Sequence, residues 1–200
     1  GSGFEARAQL QALAATRALA SVAVFSPNPA SRSAFIAHFA AQNLTVRDAA
    51  TPALATQGAD VIVCAARARG EQPVLHADQV APGATVVSIG STLPEQRELD
   101  VGVLSLAHCI VADMPHEVLH DTGDLLAAAR AGLDLAPRVC ALGEVVQGAR
   151  AVRSAPADIV IYKSVGSALQ DVVLAGMLLD RALARGVGAD LPQSIVPVAK

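Results

Sequence analysis

The chain begins with Gly1-Ser2-Gly3-Phe4-Glu5-Ala6, a pattern of the form GxGxxA. An alanine-rich segment with a helical period follows it, and then a short apolar strand. In such a unit the first glycine turns the chain, the second lets the backbone approach a pyrophosphate, and the small third residue lets the helix pack closely on the sheet. The helix N-terminus then holds the phosphates through free N–H groups and its dipole. The stretch predicts a dinucleotide-binding loop, although Gly-Ser-Gly is also typical of an expression-vector remnant.

Strands and helices alternate along the first part of the chain. Strands are predicted over residues 21–25, 44–46, 59–64, 85–89 and 109–112. Four helices are predicted: one over the alanine-rich segment, a second that starts at about residue 29, and two more over residues 51–57 and 100–106. Phe35, Ile36 and Phe39 are expected to form the inner face of the second helix. This alternation is typical of a doubly wound α/β fold with a parallel sheet and right-handed crossovers.

The pattern changes after Asp113. Helical segments are predicted over 124–131 and 142–147, a strand over 158–162, and a long helix over 167–185 that ends at Gly186 and Gly188. The tail, which contains Pro192 and Pro197, is expected to be irregular.

The composition supports this fold class and excludes several functions. Hydrophobic residues make up 52% of the 200 residues and aromatic residues only 2%, so the core must be built from Ala, Val, Leu and Ile, which suits a buried parallel sheet. The net charge of -3 leaves no electrostatic footprint for nucleic acid or an anionic membrane. No apolar run reaches the roughly 20 residues of a membrane helix. Three widely spaced cysteines exclude a fully paired disulfide framework, so we expect a cytoplasmic protein in which Cys64 and Cys109 are buried thiols.

Several motifs follow the glycine pattern in a definite order. They are Ala59-Asp60-Val61-Ile62-Val63, Pro82-Gly83, the stretch 89–100 (Ile89-Gly90-Ser91-Thr92-Leu93-Pro94-Glu95-Gln96-Arg97-Glu98-Leu99-Asp100), Asp113 with Gly123-Asp124, Leu142-Gly143-Glu144-Val145, and Tyr162-Lys163-Ser164-Val165-Gly166. In this combination the chain resembles the ornithine cyclodeaminase/mu-crystallin family over nearly its whole length. The stretches 89–100 and 163–166 are the most specific part of the resemblance.

The resemblance implies how the chain is organised. Residues 1–165 correspond to a Rossmann-type dinucleotide-binding domain, and residues 166–200 to a C-terminal helix and tail that would pack on a substrate-binding and dimerisation domain. We expect that domain, and the first strand of the sheet, to be missing from this chain. The implied partners are a small imino or amino acid and a second copy of the protein, with no nucleic acid and no membrane.

The resemblance also implies a set of cofactor-binding residues around one crevice. They are Gly1, Ser2, Gly3, Phe4, Glu5, Ala6, Ser26, Asn28, Arg32, Ala65, Ala66, Ile89, Gly90, Ser91, Asp113, Lys163, Ser164 and Val165. Lys163 and Ser164 match the segment near the nicotinamide, and Asp113 follows a strand end that faces the same crevice. Lys163 is expected either to contact a phosphate or substrate carboxylate or to be an exposed, solvated lysine.

The segment after the second predicted strand bears on the choice of cofactor. An NAD-selective site usually places Asp or Glu there to accept a hydrogen bond from the ribose 2′-hydroxyl. Here the stretch reads Phe25-Ser26-Pro27-Asn28-Pro29, with Arg32 nearby and no acid. This favours NADP(H) over NAD(H), although relatives often have arginine at the position of Pro27 and the segment could simply cap a helix at Ser31.

Thr92 is the position most informative about chemistry. The deaminating members of the family have an aspartate there, which takes up a proton, whereas threonine cannot do so near neutral pH. Members that resemble ketimine reductases have a small neutral residue instead. A protonated cyclic imine needs only positioning and a hydride from the cofactor. We therefore expect reduction of a small cyclic imino acid, of the pyrroline- or piperideine-2-carboxylate type, with Thr92 as a positioning hydroxyl or, alternatively, a loop hydroxyl bonded to its own backbone.

Two other classes of function remain as alternatives within the family. The first is ornithine cyclodeaminase or amino-acid dehydrogenase activity. The second is a non-catalytic protein that binds NADP(H) and a small ligand.

A competing motif lies in His116-Glu117-Val118-Leu119-His120, which matches HExxH. On a helix this spacing places two zinc ligands on one face, with the glutamate as the general base of a metalloprotease. The flanking Met114-Pro115 and Thr122-Gly123 are expected to leave barely a helical turn, and Glu144 or another residue would have to supply a third ligand. We therefore expect surface histidines and no metal site, with the zinc protease as a remote alternative.

Overall fold

The computed structural model describes residues 1–66 and 72–189, so the predicted irregular tail around Pro192 and Pro197 lies outside the described residues. The chain divides into two compact units, Gly1–Val165 and Gly166–Lys200. Within the described residues, no helix is both long enough and apolar enough to span a membrane.

The first unit contains seven strands and seven α-helices among its described residues. The strands are β1 (Ala23–Val24), β2 (Arg47–Asp48), β3 (Val61–Cys64), β4 (Thr85–Ser88), β5 (Ala107–Ala112), β6 (Val139–Ala141) and β7 (Ile159–Lys163). The helices are α1 (Phe4–Thr16), α2 (Pro29–Ala40), α3 (Pro52–Thr56), α4 (Val101–Leu106), α5 (Pro115–Asp121), α6 (Gly123–Arg130) and α7 (Leu142–Val146). Short 3-10 helices cover Ala77–Gln79 and Ala136–Arg138.

The predicted parallel α/β sheet is confirmed. Strands β3-β4-β7-β5-β6 form a five-stranded sheet in that order, and every pair in it is parallel. The register aligns Val86 with Ile161 and Ile161 with Ile110, so these side chains lie on one face in the main core. The carboxyl ends of the five strands therefore meet at one edge, where α/β proteins build their sites.

A second, two-stranded parallel sheet pairs β1 with β2. Its core lies under α1 and α2, and its buried members are Ala6, Leu10, Val24, Phe35, Phe39 and Val46. Phe35 and Phe39 face inward as predicted, with Ile36 partly buried beside them. Helix α2 begins at Pro29, because the Asn28 side chain accepts hydrogen bonds from the backbone N–H groups of Ala30 and Ser31. The cap is therefore Asn28 and not Ser31.

One predicted strand was wrong in position, and two elements of the structure were not predicted. The strand predicted at 44–46 lies instead at Arg47–Asp48, because Leu44 and Val46 contribute their side chains to the core under α2. Strand β6 and helix α5 were not predicted. A three-residue strand offers no period to detect, and Pro115 occupies the first turn of α5, where proline is compatible with a helix.

Cys64 and Cys109 are buried strand residues, as expected, and Cys140 is buried as well. Burial raises the pKa of the Cys64 thiol, and burial beside Cys109 raises the pKa of Cys140 to about 11. Buried thiols of this kind are protonated at neutral pH and poorly nucleophilic.

The second unit contains the 17-residue helix α8 (Ala168–Ala184). Ser167 caps it, since its hydroxyl accepts a hydrogen bond from the backbone N–H of Gln170. None of its residues is buried, and Leu169, Val172, Leu179 and Leu183 are all more than half exposed.

Candidate functional site

The glycine loop lies between the ends of two strands that belong to different sheets. The Gly1 nitrogen donates to the carbonyl oxygen of Phe25, directly after β1, at 2.9 Å. A Cβ at Gly1 would lie 2.6 Å from the carbonyl oxygen of Ala65, directly after β3. Position 1 therefore has no room for a side chain. Ser2, which follows, is buried.

Gly3 has a different environment. It is the N-cap of α1, and its φ of -81° and ψ of -165° are open to any residue. A Cβ at Gly3 would meet nothing within 4 Å. Neither backbone conformation nor packing therefore requires a glycine here. Gly3 also supplies no side-chain cap, and the first N–H groups of a helix have no partner within the helix, so this loop can accept an anion.

The first turn of α1 separates buried from exposed side chains. Ala6 is buried in the small core, whereas Phe4 is 82% exposed and Glu5 is also exposed. The small residue at the end of the GxGxxA pattern is thus a packing residue, as the pattern predicts.

Glu98 connects the ends of β3 and β4 from a fully buried position. Its Oε1 accepts a hydrogen bond from the backbone N–H of Ala66, and its Oε2 accepts from the backbone N–H of Gly90 and from the Ser88 hydroxyl, each at 2.8 Å. A Cβ at Gly90 would collide with Oε1 of Glu98 and lie 2.6 Å from the carbonyl oxygen of Ala66. Burial raises the pKa of Glu98, while hydrogen bonds from Ser88, Gly90 and Ala66 and the charge of Lys163 act against that rise.

Lys163 is fully buried at the end of β7, so the expectation of an exposed lysine was wrong. Its Nζ lies 2.8 Å from Oδ2 of Asp124 and donates to the carbonyl oxygen of Ser91 at 2.6 Å. It also donates to the hydroxyls of Ser88 and Ser91. With four acceptors supplied by the protein, the ammonium holds the chain around Ser91 rather than facing a ligand.

Asp124 completes this buried network. Its Oδ1 accepts hydrogen bonds from the backbone N–H groups of Glu98 and Leu99, at 2.8 and 3.0 Å, and its Oδ2 accepts from the Ser91 hydroxyl at 2.5 Å. Glu98, Asp124 and Ser88 were not among the predicted site residues. Asp124 belongs to the Gly123-Asp124 motif of the family resemblance, but an acid is ordinary at the start of a helix, so the motif did not indicate its buried partners.

Asp113 connects the ends of β5 and β7. Its Oδ2 accepts a hydrogen bond from the Ser164 hydroxyl at 2.7 Å, and its Oδ1 accepts from the backbone N–H of Val165 at 3.1 Å. Burial raises the pKa of the adjacent Tyr162, and the Asp113 charge adds to that rise. The structure thus brings Asp113, Ser164 and Val165 together at the edge that also carries Ile89, which donates to the carbonyl oxygen of Cys64.

The segment after β1 is organised by side chains that already have partners. Arg32 Nε lies 2.6 Å from Oδ1 of Asp48, and Arg32 Nη1 donates to the carbonyl oxygen of Ser26 at 2.6 Å. Asn28, expected to bind the cofactor, is engaged as the cap of α2. Asn28 therefore has a structural role as a helix cap, which was not predicted.

Thr92 is exposed, and its backbone N–H donates to the Gln96 side chain at 3.2 Å. It directly follows Ser91, which is held by Lys163 and Asp124. Thr92 is therefore an exposed residue that directly follows a buried residue held in place by hydrogen bonds.

The HExxH segment forms more helix than expected, since α5 spans seven residues. The rings of His116 and His120 lie 4.5 Å apart between centroids, and both residues are exposed. Glu144, considered as a third ligand, accepts a hydrogen bond from the backbone N–H of Ala141 at the start of α7. Within residues 1–66 and 72–189, no three His, Cys, Asp or Glu side chains gather as a metal site. The zinc alternative therefore gains no support.

Comparison with known proteins agrees with the motifs. The family model described as "Ornithine cyclodeaminase/mu-crystallin family" matches residues 1–186. A Delta(1)-pyrroline-2-carboxylate reductase from Bacillus cereus is 31% identical over 193 residues, which are 94% of this chain and 58% of the relative.

Solved structures show the same fold. A probable ornithine cyclodeaminase from Bordetella pertussis superposes with a TM-score of 0.80 at 37% identity, over 95% of this chain and 60% of that one. The Delta(1)-pyrroline-2-carboxylate reductase of Thermococcus litoralis, in complex with NADH and L-proline, gives a TM-score of 0.88 at 26% identity, over 96% and 59%.

The chain thus spans about 60% of the length of these relatives. The family match itself extends across both units, from the glycine loop through helix α8. The chain belongs to the ornithine cyclodeaminase/mu-crystallin family.

Proposed function

We propose that the full-length protein is an NAD(P)H-dependent oxidoreductase that reduces a small cyclic imino acid. The environment of Gly3 carries this proposal: it is a glycine that neither conformation nor packing requires, at the N-terminus of a 13-residue helix. The space in which a Cβ would stand suits a pyrophosphate. Relatives named as pyrroline-2-carboxylate reductases, one of them solved with NADH and L-proline, support the choice of substrate class.

The residues present fit a dinucleotide along one edge. Residues 1–6 would hold the pyrophosphate, Ser26 and Arg32 would border the adenosine ribose, and Ala65, Ala66 and the stretch 89–91 would line the nicotinamide end. Asp113, Ser164 and Val165 would close that end from β5 and β7. The cofactor, when bound, supplies the hydride.

Thr92 decides between reduction and deamination in this proposal. Its exposed hydroxyl can orient a substrate but cannot take up a proton near neutral pH. A cyclic iminium already carries its proton, so positioning beside the cofactor suffices. Ornithine cyclodeaminase or amino-acid dehydrogenase activity, and ligand binding without turnover, are the competing possibilities.

We also propose that NADP(H) is preferred over NAD(H). No acid occurs in the segment 25–28 after β1, and Arg32 lies beside Ser26. Asp48 neutralises that guanidinium in the present arrangement, so the preference depends on how readily Arg32 exchanges Asp48 for a 2′-phosphate.

The apolar side chains exposed on α8 lead to a proposal about assembly. We propose that the rest of the full-length protein covers them and forms a homodimer. Analytical ultracentrifugation of the full-length protein should give a dimer, and a monomer at micromolar concentration would refute this part.

The experiment for the main proposal uses the full-length protein with NADPH or NADH and a panel of cyclic imino acids. We expect oxidation of the reduced cofactor with pyrroline- or piperideine-2-carboxylate and no ammonia release from ornithine with NAD⁺. Cofactor binding without turnover across the panel would favour the binding protein instead. Ammonia release from ornithine would favour the cyclodeaminase.

A variant at Gly3 and a matched control variant test whether the open space beside Gly3 holds the pyrophosphate. Gly3→Ala should preserve the fold, because its Cβ meets open space, yet weaken NADPH binding by about tenfold or more, the equivalent of losing one charge-assisted hydrogen bond. Gly143→Ala is the matched control, since its Cβ also meets nothing within 4 Å and it lies in α7. Equal affinities in wild type and Gly3→Ala would argue against the pyrophosphate site.

A further inference from the structure

Glu98 is the buried acid that touches both backbone segments at the nicotinamide end of the crevice. We propose that Glu98 is a positioning residue for the nicotinamide half of the cofactor, acting by fixing the backbone of Ala66 and Gly90 in one arrangement. The inference rests on the proposed function, because it assumes that a dinucleotide occupies this edge.

The hydrogen bonds of Glu98 point to this role. The carboxylate accepts hydrogen bonds from the backbone N–H groups of Ala66 and Gly90, each at 2.8 Å. Ala66 is the second residue after β3, and Gly90 is the second residue after β4. The backbone bond from the Ile89 N–H to the Cys64 carbonyl oxygen already joins the two strands at their ends, and the carboxylate extends this connection to Ala66 and Gly90. Loss of the carboxylate would remove the connection between Ala66 and Gly90, while the bond between Ile89 and Cys64 would still hold the strand ends together.

Gly90 and Glu98 also form a matched pair. A Cβ at position 90 would collide with Oε1 of Glu98, so the absence of a side chain at Gly90 leaves the space that the carboxylate fills. The glycine in this motif is therefore explained by a protein contact, in contrast to Gly3. This places the carboxylate against the backbone rather than in the open crevice.

A closed ring of buried side chains holds Glu98 in a single orientation. Its carboxylate accepts from the Ser88 hydroxyl, which accepts from Lys163 Nζ, and Lys163 pairs with Asp124. Asp124 in turn accepts from the backbone N–H of Glu98, so the ring returns to its starting residue. All four side chains are fully buried. A ring of this kind resists rotation of any one member, which is the requirement for preorganised geometry.

The test separates the two halves of the cofactor. In the full-length protein, affinity is measured for NADPH and for 2′-phospho-ADP-ribose, which lacks the nicotinamide, by isothermal titration calorimetry; NADH and ADP-ribose are used in parallel. Glu98→Gln should weaken dinucleotide binding by about tenfold, because one amide N–H₂ then faces a backbone donor. Binding of the shorter ligand should stay within about twofold, since its contacts lie at the glycine loop.

Two further variants keep the result interpretable. Glu95→Gln removes an exposed acid from the same segment and should leave both affinities unchanged. Ser88→Ala removes one donor to Glu98 without altering its charge, and should weaken dinucleotide binding by about threefold while sparing the shorter ligand. It serves in place of Glu98→Gln if that variant does not fold.

The possible outcomes are distinct. Selective loss of dinucleotide affinity would support the positioning role. Equal loss of both affinities would show that Glu98 only maintains the fold, and unchanged affinities would show that the connection between Ala66 and Gly90 is dispensable, so either result would overturn the inference while leaving the proposed function intact. A wild-type protein that binds neither ligand would overturn the proposed function and this inference with it.

Discussion

Two ion pairs at the carboxyl ends of strands have nearly equal lengths and very different surroundings. Arg32 and Asp48 approach to 2.6 Å beside the two-stranded sheet, where the Asp48 side chain is 51% exposed and the Arg32 side chain 13% exposed. Lys163 and Asp124 approach to 2.8 Å at the five-stranded sheet, and both side chains are completely buried. The distance between two charges therefore does not indicate how strongly they constrain the chain.

The physical reason is the solvent around each pair. Water and salt screen an exposed pair, and its partners can exchange for other ions. A buried pair has already lost its hydration, so removing one partner leaves a charge with no compensation. On the proposed binding mode, the adenosine side is therefore adjustable and the nicotinamide side is rigid.

The largest effect is expected from breaking the buried pair. Lys163→Met should lower the free energy of unfolding by about 3–5 kcal/mol, because Asp124 is left buried without its ammonium. Arg32→Met, the matched change in the partly exposed pair, should cost about 1–2 kcal/mol, because it also removes the hydrogen bond to the Ser26 carbonyl oxygen. Urea denaturation of both variants provides the measurement. An equal loss of unfolding free energy in the two variants would show that burial does not distinguish the two ion pairs.

The next effect concerns the glycines of the two regions. Gly90→Ala should destabilise the chain by about 1–3 kcal/mol, because the added methyl group displaces the Glu98 carboxylate. Gly3→Ala should cost under about 1 kcal/mol, the difference between glycine and alanine at an N-cap. Thermal and urea unfolding of the two variants can be compared directly. A Gly90→Ala variant as stable as Gly3→Ala would contradict the close packing around Glu98.

A smaller effect should follow when the exposed pair is loosened. Asp48→Asn removes the carboxylate that competes for Arg32, so affinity for NADPH should rise by up to about fivefold, equivalent to the 1 kcal/mol or less of an exposed pair. Affinity for NADH should change little, because it has no 2′-phosphate. Parallel titrations test this. A larger gain for NADH than for NADPH would place the ribose elsewhere.

The smallest effect is a pH dependence at the opposite end of the strands. Hydrogen bonds from the backbone of Ala155 and Ser154 and from the Ser154 hydroxyl hold the pKa of Asp158 below its ordinary value of 3.8. A lowered pKa means that this stabilisation is present above the ordinary value and is lost as the pH falls through the folded-state value. Acid titration of unfolding should show a shallower loss below about pH 4 in Asp158→Asn than in wild type. An identical pH dependence of stability in the variant and the wild type would refute the lowered pKa of Asp158.

An element of the fold could be predicted where its own residues carry a hydrophobic pattern with a clear period. The helices α1, α2 and α8 and the strands β3, β4 and β7 carry hydrophobic patterns long enough to read, and they lie within a few residues of their predicted bounds. The predicted position of strand β2 was wrong because the apolar residues Leu44 and Val46 pack in the core but lie just before the strand. Strand β6 is too short to carry a pattern.

The site divides in the same way. The glycine pattern is a local feature, and the structure places its first residue between Phe25 and Ala65. Its role as a dinucleotide-binding loop stays a prediction. The partners of Lys163 could not be inferred, because Asp124 and Ser91 lie far from it in the chain. No spacing rule links positions that meet only when strands from different parts of the chain become neighbours.

The sequence alone therefore determined the fold class and the family, because these depend on local period and on motifs that occur in order. The tertiary structure decided which polar residues are buried and how they are paired. It placed β4, α6 and β7 against one another, and this arrangement joins Ser88, Asp124 and Lys163 to Glu98. Burial, which sets the strength of each charge interaction, is a property of the packed molecule and not of any segment of the chain.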